Sequence, residues 1–336
     1  MKKTLALILA LLLAIGIFAG CGKTAEEPKN DPEPTPEVKE EVTVKIAGLK
    51  GPTSIGLVKL MEDNEAGTSA NKYEFTVAGA ADEVTPKLIK GELDMAAIPS
   101  NLASVLYNNT EGKIKVLAIN TLGVVYIVDK GVGITSVADL KGKTIYATGK
   151  GSTPEYALRY ILKENGIDPD NDVTIEWKSE PTEVVAVLSS GDGVAMLPQP
   201  YVTVAQSKVE GLNVALDLNA EWEKLDTKSM LITGVVVART EFIEKYPNTV
   251  KKFLEEYKAS TEYANAEVAT AATLVEKFGL FKAAVAEKAI PKCNITYIAG
   301  EEMKTALEEY LNILYNFNPA SVGKQLPAED FYYVEK

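Results

Sequence analysis

Two loops rich in glycine, serine, threonine and lysine hold the residues of this chain that are best suited to chemistry. The first loop, GLKGPTS, covers residues 48–54, and the second, GKGSTP, covers residues 149–154. Each loop joins an apolar run typical of a strand to a segment typical of a helix. Glycines let a ligand approach the backbone closely, and the free N–H groups at a helix start favour an anion or another strong acceptor.

Side chains of both loops could take part in such a site, and a lysine in each loop adds positive charge. We expect Thr53 or Ser54 to cap the first helix and Ser152 or Thr153 to cap the second. The alternative is that both loops are ordinary capped strand–helix turns. We favour ligand binding for the pair, and the predicted contacts from these loops are Lys50, Pro52, Thr53, Ser54, Gly151, Ser152 and Thr153.

Polar residues also follow several other predicted strands, at the edge where open α/β sheets bind their ligands. In PQPY, residues 198–201, two prolines would stiffen the loop and expose the Gln199 amide and the Tyr201 ring. Trp177 could stack on a planar ligand and Glu180 could take an amine, whereas the alternative for these loops is a rigid or packed turn. The further predicted contacts are Ser100, Asn101, Asn120, Thr121, Glu180, Gln199, Tyr201 and Thr233.

Motifs that would suggest other chemistry are incomplete. GKGSTP lacks the third glycine of a dinucleotide fingerprint, and neither GKT follows the glycine that a phosphate-binding P-loop needs. The aspartates of residues 168–173 are spaced as in a calcium loop, but Val173 and Ser179 stand where glycine and glutamate are required. The chain has no histidine, which removes histidine triads and histidine metal sites. We predict no catalytic residue, no metal site, no cofactor and no enzymatic activity.

Strands and helices alternate along the part of the chain that must position these loops. Short β-branched or apolar runs interleaved with helical segments are typical of parallel, doubly wound sheets. ITGVVVAR, residues 232–239, adds one more apolar strand, and we expect everything beyond it to be helical. Single apolar stripes, such as that of Met303, Leu307 and Leu314, predict that these helices pack on the core.

The predicted fold is α/β, with two lobes that each contain a doubly wound, mainly parallel sheet. Roughly 295 residues after the N-terminal segment exceed most single-core domains. We expect crossings between the lobes near residues 129–134 and 230–235, with a ligand cleft between the lobes. The predicted divisions are a signal peptide at 1–20, a lipidated cysteine and disordered tether at 21–41, lobe 1 at 42–132, lobe 2 at 133–231, and the mostly helical second part of lobe 1 at 232–336.

The N-terminal segment has the pattern of a secretory signal followed by a tether. Lys2 and Lys3 precede an apolar run at residues 5–18, which is short for a membrane span. FAGC, which ends at Cys21, resembles a bacterial lipobox, in which the cysteine carries lipid. The alternative is an ordinary membrane anchor with Cys21 unmodified. The Pro- and Glu-rich residues 22–41 can bury too little apolar surface to fold.

Composition limits the partners. The net charge is −12 and the basic residues are scattered, which argues against binding to nucleic acid. If Cys21 carries lipid, Cys293 is the only other cysteine and has no disulfide partner. We expect Cys293 to be a small core residue, with a reactive thiol as the alternative.

Three segments carry a resemblance to a known family. They are GELDMAAIPSNLASVLYN, SVADLKGKTIYATGKGSTPEYALRYILKENGI and VVVARTEFIEKYPNTVKKFLEEY. With the lipobox and the two lobes, they make the chain resemble the extracytoplasmic solute-binding lipoproteins of ABC importers. The resemblance is to the nitrate, sulfonate and taurine group, which includes the proteins named after thiamine-pyrimidine synthesis, and it covers nearly all of the chain after the signal. It implies a type II periplasmic-binding-protein fold that closes on one small solute.

The resemblance also implies partners and a location. We expect a monomer, held by a lipid anchor at the outer face of the cytoplasmic membrane, that presents its ligand to ABC permease subunits. By matching position, the family's ligand loops fall at residues 52–54, 100–101, 120–121, 151–153 and 199–201. The lysines and helix ends indicate a small anionic or zwitterionic solute, similar to a sulfonate or carboxylate.

Three alternatives compete with this interpretation. The ligand could be a neutral thiamine-type pyrimidine precursor. The chain could be a solute-sensing lipoprotein subunit of a membrane receptor, whose lobes would look the same. Fungal relatives in the pyrimidine branch are enzymes whose reaction resembles a histidine-dependent one with iron, and the absence of histidine here argues against that activity.

Overall fold

The structure, a computed structural model, describes residues 42–335 of this chain. They form two mixed β-sheets with helices packed against them, so the predicted α/β class is confirmed. The predicted signal peptide, Cys21 and the tether lie outside the described residues. Within residues 42–335, no helix combines the length and the apolar character needed to cross a membrane.

Six strands form the first sheet: β1 (Thr43–Leu49), β2 (Lys72–Ala78), β3 (Met95–Pro99), β4 (Ile114–Leu122), β10 (Ile232–Arg239) and β11 (Ile295–Ala299). Their order across the sheet is β11-β4-β10-β3-β1-β2. β1 runs parallel to its two neighbours, and Ile46 lies opposite both Phe75 and Met95. β10 is antiparallel to β3 and β4. The carboxyl ends of β1, β3 and β4 therefore meet at one edge.

Five strands form the second sheet: β5 (Val125–Lys130), β6 (Thr144–Ala147), β7 (Thr174–Trp177), β8 (Gly193–Pro198) and β9 (Leu212–Asp217). Their order is β7-β6-β8-β5-β9. β6 is parallel to β7 and β8, whereas β5 is antiparallel to β8 and β9. Each sheet is thus mixed, although four of its strands point in the same direction, as the alternating pattern predicts.

The chain passes from the first sheet to the second earlier than the sequence indicates. β5 pairs with β8 and β9, so the passage lies at residues 123–124 and not near residues 129–134. Ile127 and Val128 of β5 are fully buried in the second sheet. An apolar run of this kind could lie at the centre of either sheet. The composition of β5 therefore does not show to which sheet it belongs. The return passage lies just before β10.

The helices of the described residues flank these sheets. They are α1 (Pro52–Ile55), α2 (Val58–Glu65), α3 (Thr85–Lys90), α4 (Ser100–Asn109), α5 (Thr153–Glu164), α6 (Pro181–Ser190), α7 (Tyr201–Lys208), α8 (Leu218–Glu223), α9 (Thr240–Lys245), α10 (Pro247–Ala266), α11 (Val268–Lys277), α12 (Ala283–Ala289) and α13 (Gly300–Phe317).

The region after β10 is mostly helical, with one exception. The apolar stripes predicted for α10 and α13 are confirmed, since Phe253, Tyr257, Met303 and Leu307 are all fully buried. The prediction that everything after β10 is helical is wrong, because β11 pairs antiparallel with β4. β11 is a five-residue edge strand that is mostly half-buried, and so short a run carries little periodic signal.

Packed aromatic rings join the two lobes. The Trp222 ring lies 5.1 Å from that of Tyr160 and 5.5 Å from that of Tyr310, measured between ring centroids. Tyr160 also meets Phe317, at 5.6 Å. Trp222 and Tyr160 belong to helices of the second lobe, whereas Tyr310 and Phe317 belong to α13, which packs on β4 and β11 of the first sheet. The buried core therefore continues from one lobe into the other.

Cys293 is fully buried, and its burial raises the pKa of the thiol above its usual range. A buried thiol of raised pKa forms little thiolate, which is the reactive species. The structure therefore agrees with the expectation that Cys293 is a core residue.

Gly123, at the first passage, is packed too closely for a side chain. A methyl group there would lie 2.3 Å from Asn219 Oδ1 and 2.5 Å from Asn219 Cβ. We expect Gly123→Ala to lower the free energy of unfolding by about 1–3 kcal/mol, because neighbouring groups must shift. Urea unfolding would measure this. Gly191→Ala, where a methyl would meet nothing within 4 Å, should stay within about 0.5 kcal/mol of the parent. Equal losses in both variants would contradict the packing argument.

Candidate functional site

A cleft of about 860 Å³ lies between the two sheets. Residues that follow the carboxyl ends of β1, β3, β4, β6, β7 and β8 border it, so both lobes contribute walls. Open α/β sheets bind ligands at this edge, and the volume is typical of a small-molecule site. The predicted site residues that line the cleft are Lys50, Pro52, Thr53, Thr121, Gly151, Ser152, Glu180, Gln199, Tyr201 and Thr233.

The capping prediction for the first loop is wrong. α1 begins at Pro52 with Gly51 in the N-cap position, and no side chain caps it. Thr53 Oγ1 turns back to β1 instead, where it donates to the Leu49 carbonyl at 3.1 Å and accepts the Leu49 N–H at 3.2 Å. These two hydrogen bonds fix the loop against the end of β1.

Ser54 lies beneath the cleft and is not part of its lining. Its Oγ is buried without a hydrogen-bond partner among residues 42–335. Gly48 must lack a side chain here, because a methyl group would lie 2.4 Å from Ser54 Oγ. Lys50 is exposed, with its Nζ 5.8 Å from the centre of the Phe281 ring. Thr53 therefore lines the interior of the cleft, and Lys50 lies at the rim of the cleft.

The second loop starts α5 where the sequence predicts but with different hydrogen bonds. Ser152 occupies the N-cap position, yet its Oγ donates to the Gly149 carbonyl at 2.7 Å. Glu155 Oε2 accepts the Gly151 N–H at 2.6 Å, and Glu155 Oε1 pairs with Arg159 Nε at 2.9 Å. A carboxylate of the protein thus already occupies part of this helix start, which makes the helix end less favourable for a ligand anion.

Three predicted contact residues connect the lobes beneath the cleft lining. Ser100, Asn101 and Thr153 are fully buried and do not border the cleft. Asn101 Nδ2 donates to the carbonyls of Gly151 and Ser321, at 3.2 and 3.0 Å. Thr153 Oγ1 donates to Asn101 Oδ1 and lies within 3.1 Å of Ser100 Oγ. These side chains form a buried bridge between the lobes.

The bridge predicts a stability effect. We expect Asn101→Ala to lower the free energy of unfolding by about 1–3 kcal/mol, because two carbonyl groups lose their buried donor. Thermal unfolding without ligand would measure the change. Asn109→Ala, at an exposed position of the same helix, should change stability by less than about 0.5 kcal/mol. If Asn101→Ala is as stable as this control, the bridge does not hold the lobes together.

Two threonines line the floor of the cleft. Thr121 Oγ1 donates to Asn120 Oδ1 at 3.0 Å, and Thr233 Oγ1 donates to the Leu122 carbonyl at 2.5 Å. Both hydroxyl protons are used within the protein, so the oxygens are left as acceptors. Asn120 itself is buried beneath the lining, and its Nδ2 has no hydrogen-bond partner in the described part of the chain.

Gln199 presents a hydrogen-bond donor from the second lobe. The residue is 2 % exposed, and its Oε1 accepts from the Thr203 backbone N–H at 3.3 Å and from Thr203 Oγ1 at 2.9 Å. A backbone N–H can only donate, so this contact identifies the amide oxygen. The NH2 group therefore points away from Thr203, and it has no hydrogen-bond partner within residues 42–335 while the residue lines the cleft.

Tyr201 presents a second donor beside it. The residue is 8 % exposed, and its ring packs edge-on against Phe281 at 5.2 Å. Burial, together with the nearby charge of Glu180, raises the pKa of Tyr201 to about 12. The hydroxyl is therefore protonated at neutral pH, and it has no hydrogen-bond partner in the part of the chain that the structure describes.

The cleft also contains residues that the sequence interpretation missed. Asp82 and Glu83 border it from a 3-10 turn at Ala81–Glu83, and Lys178 borders it after β7. Their position in the sequence could have identified these residues, because each of them follows the carboxyl end of a parallel strand. Trp177, expected to stack on a ligand, is half-buried against the core and does not border the cleft. Apolar walls come from Leu102, Leu106, Val124, Val125 and Pro198.

Among the described residues, no group of three or more His, Cys, Asp or Glu side chains is arranged to hold a metal ion. The aspartates of residues 168–173 bond to their own loop and to basic side chains outside it, and Asp170 pairs with Arg159 at 2.6 Å. Asp168 Oδ1 accepts the Asp170 N–H at 2.9 Å, and Lys141 pairs with Asp172 at 3.1 Å. The segment is a closed polar turn.

Comparison with curated proteins identifies distant relatives. A protein of Brucella abortus that is named as a binding protein is 27% identical over 189 residues. The aligned stretch covers 56% of this chain and 56% of that protein, so the chain spans about half the length of the curated relatives it matches.

Solved structures match over more of the chain. An ABC transporter protein from Parabacteroides distasonis is 26% identical, with a TM-score of 0.72, and the match covers 88% of this chain and 99% of that chain. The periplasmic aliphatic sulphonate binding protein SsuA from Escherichia coli is 17% identical, with a TM-score of 0.70 and coverage of 88% and 92%. The second likeness shows the fold alone. The two matches confirm the predicted two-lobe fold of type II periplasmic binding proteins.

The family itself follows from the sequence match. The model of the NMT1-like family matches residues 61–278, which is well over half of the chain. This stretch includes the loops after β3, β6 and β8 that border the cleft. The match confirms the group that the sequence resembles, and the chain belongs to the NMT1-like family.

Proposed function

We propose that this protein captures a small organic solute in the cleft between its lobes and delivers it to the permease subunits of an ABC importer. The observation that carries the proposal is the cleft, because strand ends of both sheets border it and the mostly buried residues Gln199 and Tyr201 line it with donors that no described residue engages. The names of the relatives from Brucella abortus, Parabacteroides distasonis and Escherichia coli support a role in binding and transport.

A binding role without catalysis fits the residues of the cleft. Its lining, within the described residues, contains no cysteine, and the sequence has no histidine. The usual pair of a nucleophile and a histidine base is therefore missing. The relatives named above are binding or transport proteins, which also favours this interpretation over an enzyme.

Closure of the lobes would couple binding to transport. The lobes would turn about the two passages near Gly123 and Ile232, with the packed rings and the buried bridge beside them adjusting, and a few hinge residues are enough for such closure. A solute that touches both lobes shifts the balance toward the closed form by its differential affinity for that form. A permease that recognises the closed form would then accept only the loaded protein.

The proposed ligand is a small anionic or zwitterionic solute of the sulfonate or carboxylate type. Unused donors on Gln199 and Tyr201 support an acceptor group, and the rim lysines Lys50 and Lys150 add positive charge. The second helix start contributes less to anion binding, because the Glu155 carboxylate already accepts a backbone N–H there. A neutral pyrimidine stays the second candidate, because its ring nitrogens would also accept from these donors.

The experiment is thermal unfolding of the purified protein with a panel of sulfonates, carboxylates, nitrate and aminopyrimidines. A specific ligand at about a hundred times its Kd should add about 2.7 kcal/mol of stability, which raises the melting temperature by about 5 °C for a chain longer than 250 residues. Absence of any shift with the panel and with a cell extract would contradict the proposal. Co-purification with permease subunits, as opposed to a membrane receptor, separates an importer component from a sensor.

The proposed location is the outer face of the cytoplasmic membrane, where Cys21 of a monomeric chain carries lipid after removal of residues 1–20. We expect Cys21→Ser to move the protein from the membrane fraction to the soluble fraction and to abolish its labelling by radioactive palmitate. Cys293→Ser changes a buried thiol and should stay in the membrane with its label. If Cys21→Ser also stays in the membrane, the segment is an ordinary membrane anchor.

A further inference from the structure

Two carboxylates from opposite lobes converge at one side of the cleft. Glu83 Oε1, in the first lobe, accepts the N–H groups of Gly79 and Ala80, both at 2.9 Å. Glu180 reaches the same place from the second lobe. A methyl group on Gly79 would lie 3.2 Å from Glu83 Oε1 and 3.5 Å from Glu180 Oε1. The glycine thus leaves open a small space that both carboxylates face.

The charges of these carboxylates are not neutralised within the described residues. Neither Glu83 nor Glu180 has an ion pair there, and Asp82, which also borders the cleft, has none. The lysine on this side, Lys178, pairs with Glu176 at 3.5 Å. When the lobes close, the like charges of Glu83 and Glu180 approach each other, which is unfavourable unless a cation lies between them.

An independent observation indicates that a ligand reaches this region. Gln199 and Tyr201 are more than nine-tenths buried, border the same cleft and hold donors that have no partner among residues 42–335. No described residue engages either donor, so both can bond an acceptor group of a ligand in the cleft. Glu180, Gln199 and Tyr201 all line the cleft from the second lobe, and Tyr201 is close enough to Glu180 for that charge to act on its hydroxyl.

An apolar surface accompanies these polar groups. Leu102 and Leu106 of α4, with Val124, Val125 and Pro198, border the cleft between the lobes. A bare inorganic ion would leave this surface without contacts. The cleft is complementary to an organic body with an acceptor group and a positively charged nitrogen.

We propose that the ligand of this cleft carries a cationic nitrogen, which Glu83 and Glu180 hold from opposite lobes while Gln199 and Tyr201 donate to its acceptor group. The inference rests on the proposed function and narrows its ligand class to aminated, zwitterionic organic solutes. Glu83 is then a specificity-determining residue, and the cation is what allows the two acidic edges to come together.

The test uses pairs of probes that differ by one amino group. They are taurine and ethanesulfonate, β-alanine and propionate, and 4-(aminomethyl)benzoate and 4-methylbenzoate. Thermal unfolding and calorimetric titration are carried out on the parent protein and on Glu83→Gln, Glu180→Gln and Glu183→Gln. Glu183 is an exposed residue of α6 that does not border the cleft, so its variant makes the same charge change as a control.

The expected result is that at least one aminated probe binds and its partner without nitrogen does not. Glu83→Gln and Glu180→Gln should each weaken that binding by about 10- to 100-fold, the usual effect of losing a hydrogen-bonded charge, and Glu183→Gln should leave it unchanged. Binding of the unaminated probes alone, or undiminished binding in both cleft variants, overturns the inference and leaves the proposed function intact. Binding of no probe by any variant overturns the inference, and the broader panel then decides the proposed function.

Discussion

Replacing Trp222 with alanine is expected to lower the free energy of unfolding by about 3–5 kcal/mol. Trp222 is fully buried and packs against Tyr160 and Tyr310, which belong to different lobes. Its indole N–H also donates to the Ser229 carbonyl at 2.8 Å. The substitution opens a large cavity, removes a buried donor and separates the rings that join the lobes, so that three losses act at one position.

Chemical unfolding followed by circular dichroism would measure this effect. Trp177→Ala is the matched control, because Trp177 is the other tryptophan of the chain and is only half-buried. It should cost clearly less than Trp222→Ala. Should the two variants lose the same stability, the shared aromatic core would not be the principal connection between the lobes.

Gln199→Glu is expected to weaken binding of an acceptor-bearing ligand by about 100-fold or more. The glutamate has the size of the glutamine and can keep an oxygen on Thr203, where Gln199 Oε1 now accepts two hydrogen bonds. The group that faces the cleft changes from a donor to a negatively charged acceptor. The ligand then loses a hydrogen bond worth about 1.5–3 kcal/mol if it is charged and meets a like charge.

Isothermal titration with a ligand found in the unfolding panel would give the two affinities. Gln206→Glu places the same charge at an exposed position of the same helix, α7, and should leave affinity within a factor of about two. Tighter binding by Gln199→Glu would mean that the ligand presents a cation to this position, and the assigned direction of the amide would be wrong.

Alternating strand and helix patterns predict most of this fold because each element buries a face with its own period. ITGVVVAR, for example, coincides with β10 at Ile232–Arg239. The pattern does not show to which sheet β5 belongs, because a strand that is buried on both faces has the same apolar sequence in either lobe. Nor does it reveal β11, whose five residues at a sheet edge are too few for a period to stand out.

The strand-end rule locates the cleft but not the direction of each side chain. It selects Gln199 and Tyr201, which border the cleft, and equally Ser100, Asn101 and Thr153, which point into a bridge between the lobes. Whether a residue at a helix start faces the ligand or the neighbouring lobe depends on contacts distant in sequence. Glu83 was missed for a similar reason, since its partner across the cleft is nearly a hundred residues away.

Closure of the cleft on its ligand is tested most directly by small-angle X-ray scattering. The radius of gyration would be measured for the purified protein alone and with a saturating amount of a ligand identified by thermal unfolding, using Gln199→Glu at the same ligand concentration as the unbound control. We predict a smaller radius for the loaded parent protein and no change for the variant. A ligand that binds the parent protein tightly while the scattering stays unchanged would contradict capture between the lobes.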